Sequence, residues 1–190
     1  MLSELLQKVS LFRLLYRIDL DLANQQRQSG CPYCGGRLDR AGYERKPRGG
    51  PPSVPEQYLI RHSLCCSQPG CRRRSLPPSC LFMGRRVYWG CVVVVVMALR
   101  QNRAGSASIG KLQRMFAIGR KTICRWIAYF RDEFPATACW QGLRGRVSAR
   151  VPSTRLPGAL LEYFVEHLCC PQKGLIACLV FLAGRPDGSP

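Results

Sequence analysis

Two clusters of cysteine hold the residues best suited to chemistry in this chain. In CPYCGG, two residues separate Cys31 from Cys34, so both thiolates can face one ion while the turn between them aims backbone N–H groups at the sulfurs. Gly35 and Gly36 follow, and they permit the positive-φ geometry of a tight knuckle. In LCCSQPGC, four residues separate Cys66 from Cys71 across a Pro-Gly turn. Cys65 is the alternative to Cys66, and Cys66 is preferred because its spacing closes the tighter turn. Four thiolates around one Zn2+ fill every tetrahedral position, so such a site is closed and structural. His62 is a further donor type nearby, but a strand residue four before Cys66 reads more simply as half-exposed.

Zinc binding by such a module contributes roughly 10–16 kcal/mol, enough to fold a Pro/Gly-rich segment with little core of its own. The chain has 12 cysteines, below the density of a disulfide scaffold. No secretory segment is expected, because Lys8, Arg13 and Arg17 interrupt the apolar N-terminus. Together these features imply a reducing, cytoplasmic compartment in which paired cysteines are metal ligands before they are disulfides. Cys80, Cys91, Cys124, Cys139, Cys169, Cys170 and Cys178 sit mostly among apolar neighbours and read mainly as small core residues. A second metal site from His167, Cys169 and Cys170 is the weaker alternative.

Charge is the other unusual feature. Lys plus Arg number 29 against 11 Asp plus Glu, a net charge of +18 over 190 residues. Residues 31–150 carry +17 of it, while residues 1–30 carry +1 and residues 151–190 are neutral. Codon bias in a GC-rich genome explains an excess of Arg over Lys, but not a shortage of carboxylates confined to the middle. A basic block between near-neutral ends points to a polyanionic partner, with nucleic acid before an anionic membrane. Arg72, Arg73 and Arg74 directly follow Cys71, where a rigid metal knuckle would present them as a phosphate clamp.

These residues need elements to position them. Residues 3–24 have the spacing of an amphipathic helix with Ser3 as its N-cap. Residues 31–80 are rich in Pro, Gly and Cys, which leaves room for short strands over 37–43 and 57–65. Residues 84–134 read as helical, with breaks at 102–106 and 117–119. Within them VYWGCVVVVVMAL is an apolar run of 13 residues, fenced by Arg85 and Arg86 on one side and Arg100 and Arg103 on the other. As a helix it spans roughly 20 Å, short of a roughly 30 Å hydrocarbon core, so it reads as a buried helix. A buried strand has the same pattern; length favours the helix. Residues 140–157 read as an Arg-rich connector. A last amphipathic helix over 156–170 carries Leu160, Leu161, Phe164 and Leu168, ahead of an apolar stretch and a polar tail.

Residues 106–134 have the pattern of a helix-turn-helix. A first helix over 108–116 turns Ile109, Leu112 and Phe116 inward. After a turn at Gly119, a second turns Ile123, Trp126, Ile127 and Phe130 inward. That leaves Arg120, Lys121, Thr122, Arg125 and Tyr129 on the outer face, where a recognition helix meets the major groove. The valine-rich helix would complete a three-helix core beneath the pair.

Taken together, CPYCGG, RKPRGG, LCCSQPGCRRRSLPPS, FMGRRVYWG and RWIAYFRDEFPAT resemble a group of bacterial transposase-associated zinc-ribbon/helix-turn-helix proteins. The order of modules is similar to the N-terminal, DNA-binding end of insertion-sequence transposases. The resemblance covers residues 31–140. It implies Cys31, Cys34, Cys66 and Cys71 as zinc ligands and residues 120–125 as the DNA-reading stretch. It departs from those enzymes in the catalytic part, whose three carboxylates hold two metal ions. Residues 31–150 contain only Asp39, Glu44, Glu56, Asp132 and Glu133, and they suggest no triad.

The sequence therefore predicts an α+β, mainly α protein. Residues 1–30 would form an N-terminal helix, 31–80 a four-cysteine zinc ribbon, 81–136 a helical domain with a helix-turn-helix, and 137–190 a connector and C-terminal helix. The expected role is non-enzymatic binding of double-stranded DNA with one structural Zn2+, at the bacterial nucleoid and off the membrane. A homodimer or a transposase chain is the expected protein partner. The alternatives are a transposase, recombinase or nuclease subunit completed by a partner chain, and an RNA-binding or interaction module that docks through its C-terminal stripe.

Overall fold

In the computed structural model, which describes residues 2–102, 104–147 and 151–184, the N-terminal segment is two helices, α1 (Leu2–Leu5) and α2 (Val9–Ser29). Ser3 is not a cap: it lies inside α1, and its carbonyl accepts from the Leu6 N–H at 3.3 Å. The break after Leu5 has a packing reason. Leu5 and Leu6 bury beside the C-terminal helix, while Leu11, Phe12 and Leu15 bury along a separate stripe of α2. Phe12 meets the edge of Trp89 at 4.9 Å.

The cysteine-bearing segment is irregular, with five short strands. They are β1 (Leu38–Arg40), β2 (Tyr43–Glu44), β3 (Ile60–Arg61), β4 (Leu64–Cys66) and β5 (Arg74–Ser75). One antiparallel sheet has the order β1-β4-β5, with Leu38 opposite Cys66 and Leu64 opposite Ser75. A two-stranded sheet pairs β2 with β3. The strand expected over 57–65 is thus divided. It opens as a 3-10 turn, Glu56–Leu59, which seats Tyr58 against Tyr16 at 5.0 Å. It then changes partner between Arg61 and Leu64, from β2 to β1.

The valine run is helical, as its length indicates. α3 (Gly90–Gln101) buries Val92 through Val96 completely, so it is a central helix with apolar neighbours all round. Residues 84–89 are not part of it. There Tyr88 bridges to Arg48, and Trp89 bridges to Phe82. Arg103, read as part of the fence after α3, lies outside the described residues, as does the polar tail over 185–190.

Two short helices follow, α4 (Ile109–Phe116) and α5 (Arg120–Ala128). Ser108 caps α4 by accepting from the Lys111 N–H at 3.2 Å, and Ala117 ends it in the left-handed region at φ 52°. Buried Ile118 plugs the turn, and Leu112, Ile123 and Trp126 face inward onto α3. Beyond α5 the coil widens over Tyr129–Glu133 and tightens over Phe134–Ala136. Pro135 lacks the N–H that a regular α-helix would use there.

The segment read as a connector holds α6 (Ala138–Leu143) and two 3-10 turns, Arg144–Arg146 and Ser153–Arg155; residues 148–150 lie outside the described set. α7 (Gly158–Leu168) and α8 (Pro171–Ala183) form a hairpin against α3. A Cβ on Gly174 would lie 2.7 Å from the Val165 Cα, so only glycine allows the two helices to approach this closely. Leu160 and Leu161 are buried and Phe164 packs on Phe181, whereas Leu168 is 43% exposed. The molecule is α+β and mainly helical, and no helix among the described residues is long and apolar enough to cross a membrane.

Candidate metal centre

The two knuckles converge at one end of the β1-β4-β5 sheet. β1 leaves the first knuckle, β4 enters the second, and the pairing of Leu38 with Cys66 brings the two together. The Sγ atoms of Cys31, Cys34, Cys66 and Cys71 all lie within 4.8 Å of one another. Two of the separations are 3.8 Å, Cys31 to Cys71, and 3.5 Å, Cys34 to Cys66. A tetrahedron with metal–sulfur bonds near 2.3 Å has edges of about 3.8 Å, so the donor set has the size of a tetrathiolate zinc site.

Backbone amides complete the cradle. Tyr33 and Cys34 N–H groups face the Cys31 sulfur, Gly36 faces Cys34, Gln68 faces Cys66 and Arg73 faces Cys71. The Tyr33 amide in particular brings the Cys31 thiol down to about 7. The first knuckle closes through the Cys31 N–H on the Gly36 carbonyl and the Gly35 N–H on the Cys31 carbonyl, both 2.8 Å. The second closes through the Cys71 N–H on the Gln68 carbonyl at 3.0 Å. Space at Gly36 is tight: a Cβ there would sit 2.6 Å from the Gln68 Cγ and 3.3 Å from the Cys66 sulfur, so the Gln68 side chain would have to move. Buried Leu38 and Leu64 close the inner side, a small core separate from the helical one.

Cys65 lies outside the cluster, its thiol directed at the Arg72 carbonyl at 3.5 Å. His62 is also outside, its ring 5.9 Å from that of Tyr16, and burial holds its pKa below the usual value. Among the described residues these four cysteines are the only group of three or more side chains able to share a metal. The alternative set does not assemble: the His167 Nδ1 is 2.7 Å from the Tyr163 carbonyl, and the Cys169 thiol points to the Glu166 carbonyl. Cys80, Cys91 and Cys178 are core residues, and burial pushes Cys91 up to about 12. Cys139 and Cys170 are only half-buried and Cys124 and Cys169 are exposed, so four of the seven depart from the core role expected for most of them.

The basic residues expected to contact DNA lie on two elements. Arg72, Arg73 and Arg74 are exposed beside the second knuckle, and the Arg73 guanidinium stands 4.6 Å over the ring of Tyr33. Arg120, Lys121 and Arg125 are exposed on α5; Thr122 is half-buried and accepts from the Arg125 Nη2 at 3.4 Å. Tyr129 is not on the open outer face. It is half-buried, packs on Phe130 and Phe134, and is covered by the Arg86 guanidinium at 3.9 Å.

One buried group escaped the sequence reading. Asp19, 1% exposed, accepts from the Ser79 hydroxyl and from the Cys80 N–H at 2.6 Å. Burial pushes its carboxyl up to about 6, against the lowering effect of those bonds and of the nearby Arg61 charge. Arg61 is itself buried and donates to the carbonyls of His62 and Pro77. The signal was present, since Asp19 falls on the same four-residue spacing as Leu11, Leu15 and Ala23. In comparisons with known proteins the chain matches no family model, no curated protein and no solved structure.

Proposed function

We propose that the protein binds double-stranded DNA, using a four-cysteine zinc ribbon as a structural module and α4–α5 as a helix-turn-helix. The observation that carries this reading is the two-sided character of α5. Ile123 and Trp126 are buried, while Arg120, Lys121 and Arg125 stand in solvent at and beyond its N-terminus, after a three-residue turn. Side chains at the start of the second helix are the ones such a pair presents to base edges and phosphates. The net charge of +18 adds the long-range attraction that a polyanion requires.

Zinc is the metal that best fits four thiolates at these separations, and with every position filled by protein it orders the ribbon without offering a reactive site. The ribbon then presents Arg72, Arg73 and Arg74 as phosphate contacts. The protein is read as a binder of mobile-element type and not as an enzyme. Of the carboxylates in the basic block, Asp132 is held in a bidentate pair with Arg131 and Asp39 is paired with Arg37, which favours electrostatic over catalytic roles.

The test joins metal content to binding. Purified protein should contain one zinc per chain, and its affinity for duplex DNA should fall with salt at a slope of about −0.9 per phosphate contacted. Arg120→Ala and Arg125→Ala should weaken binding and flatten sequence preference. Zinc-free protein, or no duplex binding at low salt, overturns the corresponding half of the proposal.

A further inference from the structure

RKPRGG and GRRVYWG are far apart in sequence and adjacent in space. The Arg48 N–H donates to the Val87 carbonyl at 2.9 Å, and the Trp89 N–H donates to the Arg48 carbonyl at 3.3 Å. The Arg45 guanidinium donates to the carbonyls of Gly84 at 3.4 Å and Arg86 at 2.7 Å, and it lies 5.5 Å over the ring of Phe82. The 84–88 loop is therefore held on both sides of Arg85, at Gly84 and over Arg86 to Tyr88. It is also held against α5 and the coil beyond it: Tyr88 meets the edge of Trp126 at 5.2 Å, and Arg86 covers Tyr129.

Between this loop and α5 runs an open groove of 470 Å³, whose lining includes Arg85, Arg86, Val87, Thr122, Arg125 and one carboxylate, Glu133. Three guanidinium groups thus border one groove with a single acid among them. Arg86 is occupied by Tyr129. Arg85 is exposed and makes no hydrogen bond or ion pair among the described residues, while the carbonyls of Gly84 and Arg86 on either side of it accept from Arg45. Val87 beside it is 56% exposed. A rigid loop that holds an unneutralised arginine next to a basic helix face complements a ridge of phosphates.

We propose that the 84–88 loop is a second DNA-contacting element, placed beside α5 so that Arg85 takes a backbone phosphate of the same duplex. This rests on the reading of α4–α5 as a helix-turn-helix. The role of Arg85 is orientation and affinity, not sequence choice, because a phosphate contact carries no base information. The loop thereby gives a use to two basic motifs that neither the metal centre nor the helix pair employs.

The experiment uses the full-length, zinc-loaded protein and a duplex enriched by the wild type from a random-sequence pool, with a scrambled duplex as control. Arg85→Ala should lower affinity for both duplexes by the same factor, about eightfold at 0.1 M salt, and make the salt slope shallower by about 0.9. Arg85→Lys should restore most of both. Arg125→Ala should instead reduce the difference between the two duplexes. Phosphate ethylation interference on the wild type should show a phosphate flanking the base pairs protected by α5, and Arg85→Ala should lose that signal alone. If Arg85→Ala binds like the wild type while Arg125→Ala is impaired, the loop contact is overturned and the helix reading stands. Failure of the wild type to bind either duplex overturns the helix reading, and the loop contact with it. Because the Arg85 side chain makes no hydrogen bond or ion pair among the described residues, zinc content and thermal unfolding should match the wild type in both Arg85 variants.

Discussion

Cys65 and Cys66 are adjacent in β4 and therefore face opposite sides of the sheet. Only the Cys66 sulfur joins the other three, with the Cys34 sulfur 3.5 Å away. Cys66→Ser should abolish tetrathiolate binding, seen as loss of the sulfur-to-metal charge-transfer band in cobalt-substituted protein. Cys65→Ser should keep the band unchanged. At Asp19 the chemistry is of another kind. Its folded pKa, about 6, lies above the ordinary 3.8, so the folded state holds the proton more tightly than the unfolded state does. Its stabilising contribution is complete at low pH and is lost as pH rises through 6. Between pH 5.5 and 8 this linkage removes about 1 kcal/mol from the wild type. Asp19→Asn should lose that dependence, so urea titrations of the two proteins should show their stability difference shifting toward the variant as pH rises. A constant difference across that range would place the Asp19 titration elsewhere.

At the scale of elements, α4 and α5 were legible because their signals are local. Ser108 caps, and buried residues recur at helical spacing in Leu112, Ile123 and Trp126. Ala117 is the strained point, a left-handed residue with a Cβ. Ala117→Gly should raise unfolding stability by up to about 1 kcal/mol without altering DNA affinity, measured by denaturant midpoint and gel shift. The four clustered cysteines were legible for a similar reason, since knuckle spacing is local. What the sequence hid was set by distant partners. The helical reading of 84–89 failed because that chain bonds to Arg48 and Phe82 instead of to itself. The strand over 57–65 changes partners midway, which an alternating pattern does not record. α8 was read only as an apolar stretch, because a helix packed on both α7 and α3 has no polar face to mark its period.

For the molecule as a whole, the decisive feature is that it has two cores of different origin. The helical core runs from Leu5 to Leu179 and centres on the fully buried valines of α3. The smaller core consists of Leu38 and Leu64 with two of the sulfurs, too little apolar surface to hold the two knuckles and the β1-β4-β5 sheet unless a metal crosslinks them, whereas Tyr58 between them belongs to the helical core. Stability should therefore divide at the metal. Chelation at neutral pH should speed hydrogen exchange at the amides of Cys66 and Ser67, whose bonds to Arg73 and Arg37 tie the ribbon strands. The amides of Val93 through Val96 in α3 should stay protected, and helical circular dichroism should persist. The contacts through which the two parts meet set how sharp this division is. Asp19 bonds α2 to residues 79–80, and Arg45 and Arg48 of the ribbon side hold the 84–88 loop beside α5. Metal loss should thus reach α5 through the loop before it reaches α3, weakening DNA binding while most of the helix remains. Simultaneous loss of protection in the ribbon and in α3 would mean that the two cores unfold as one cooperative unit.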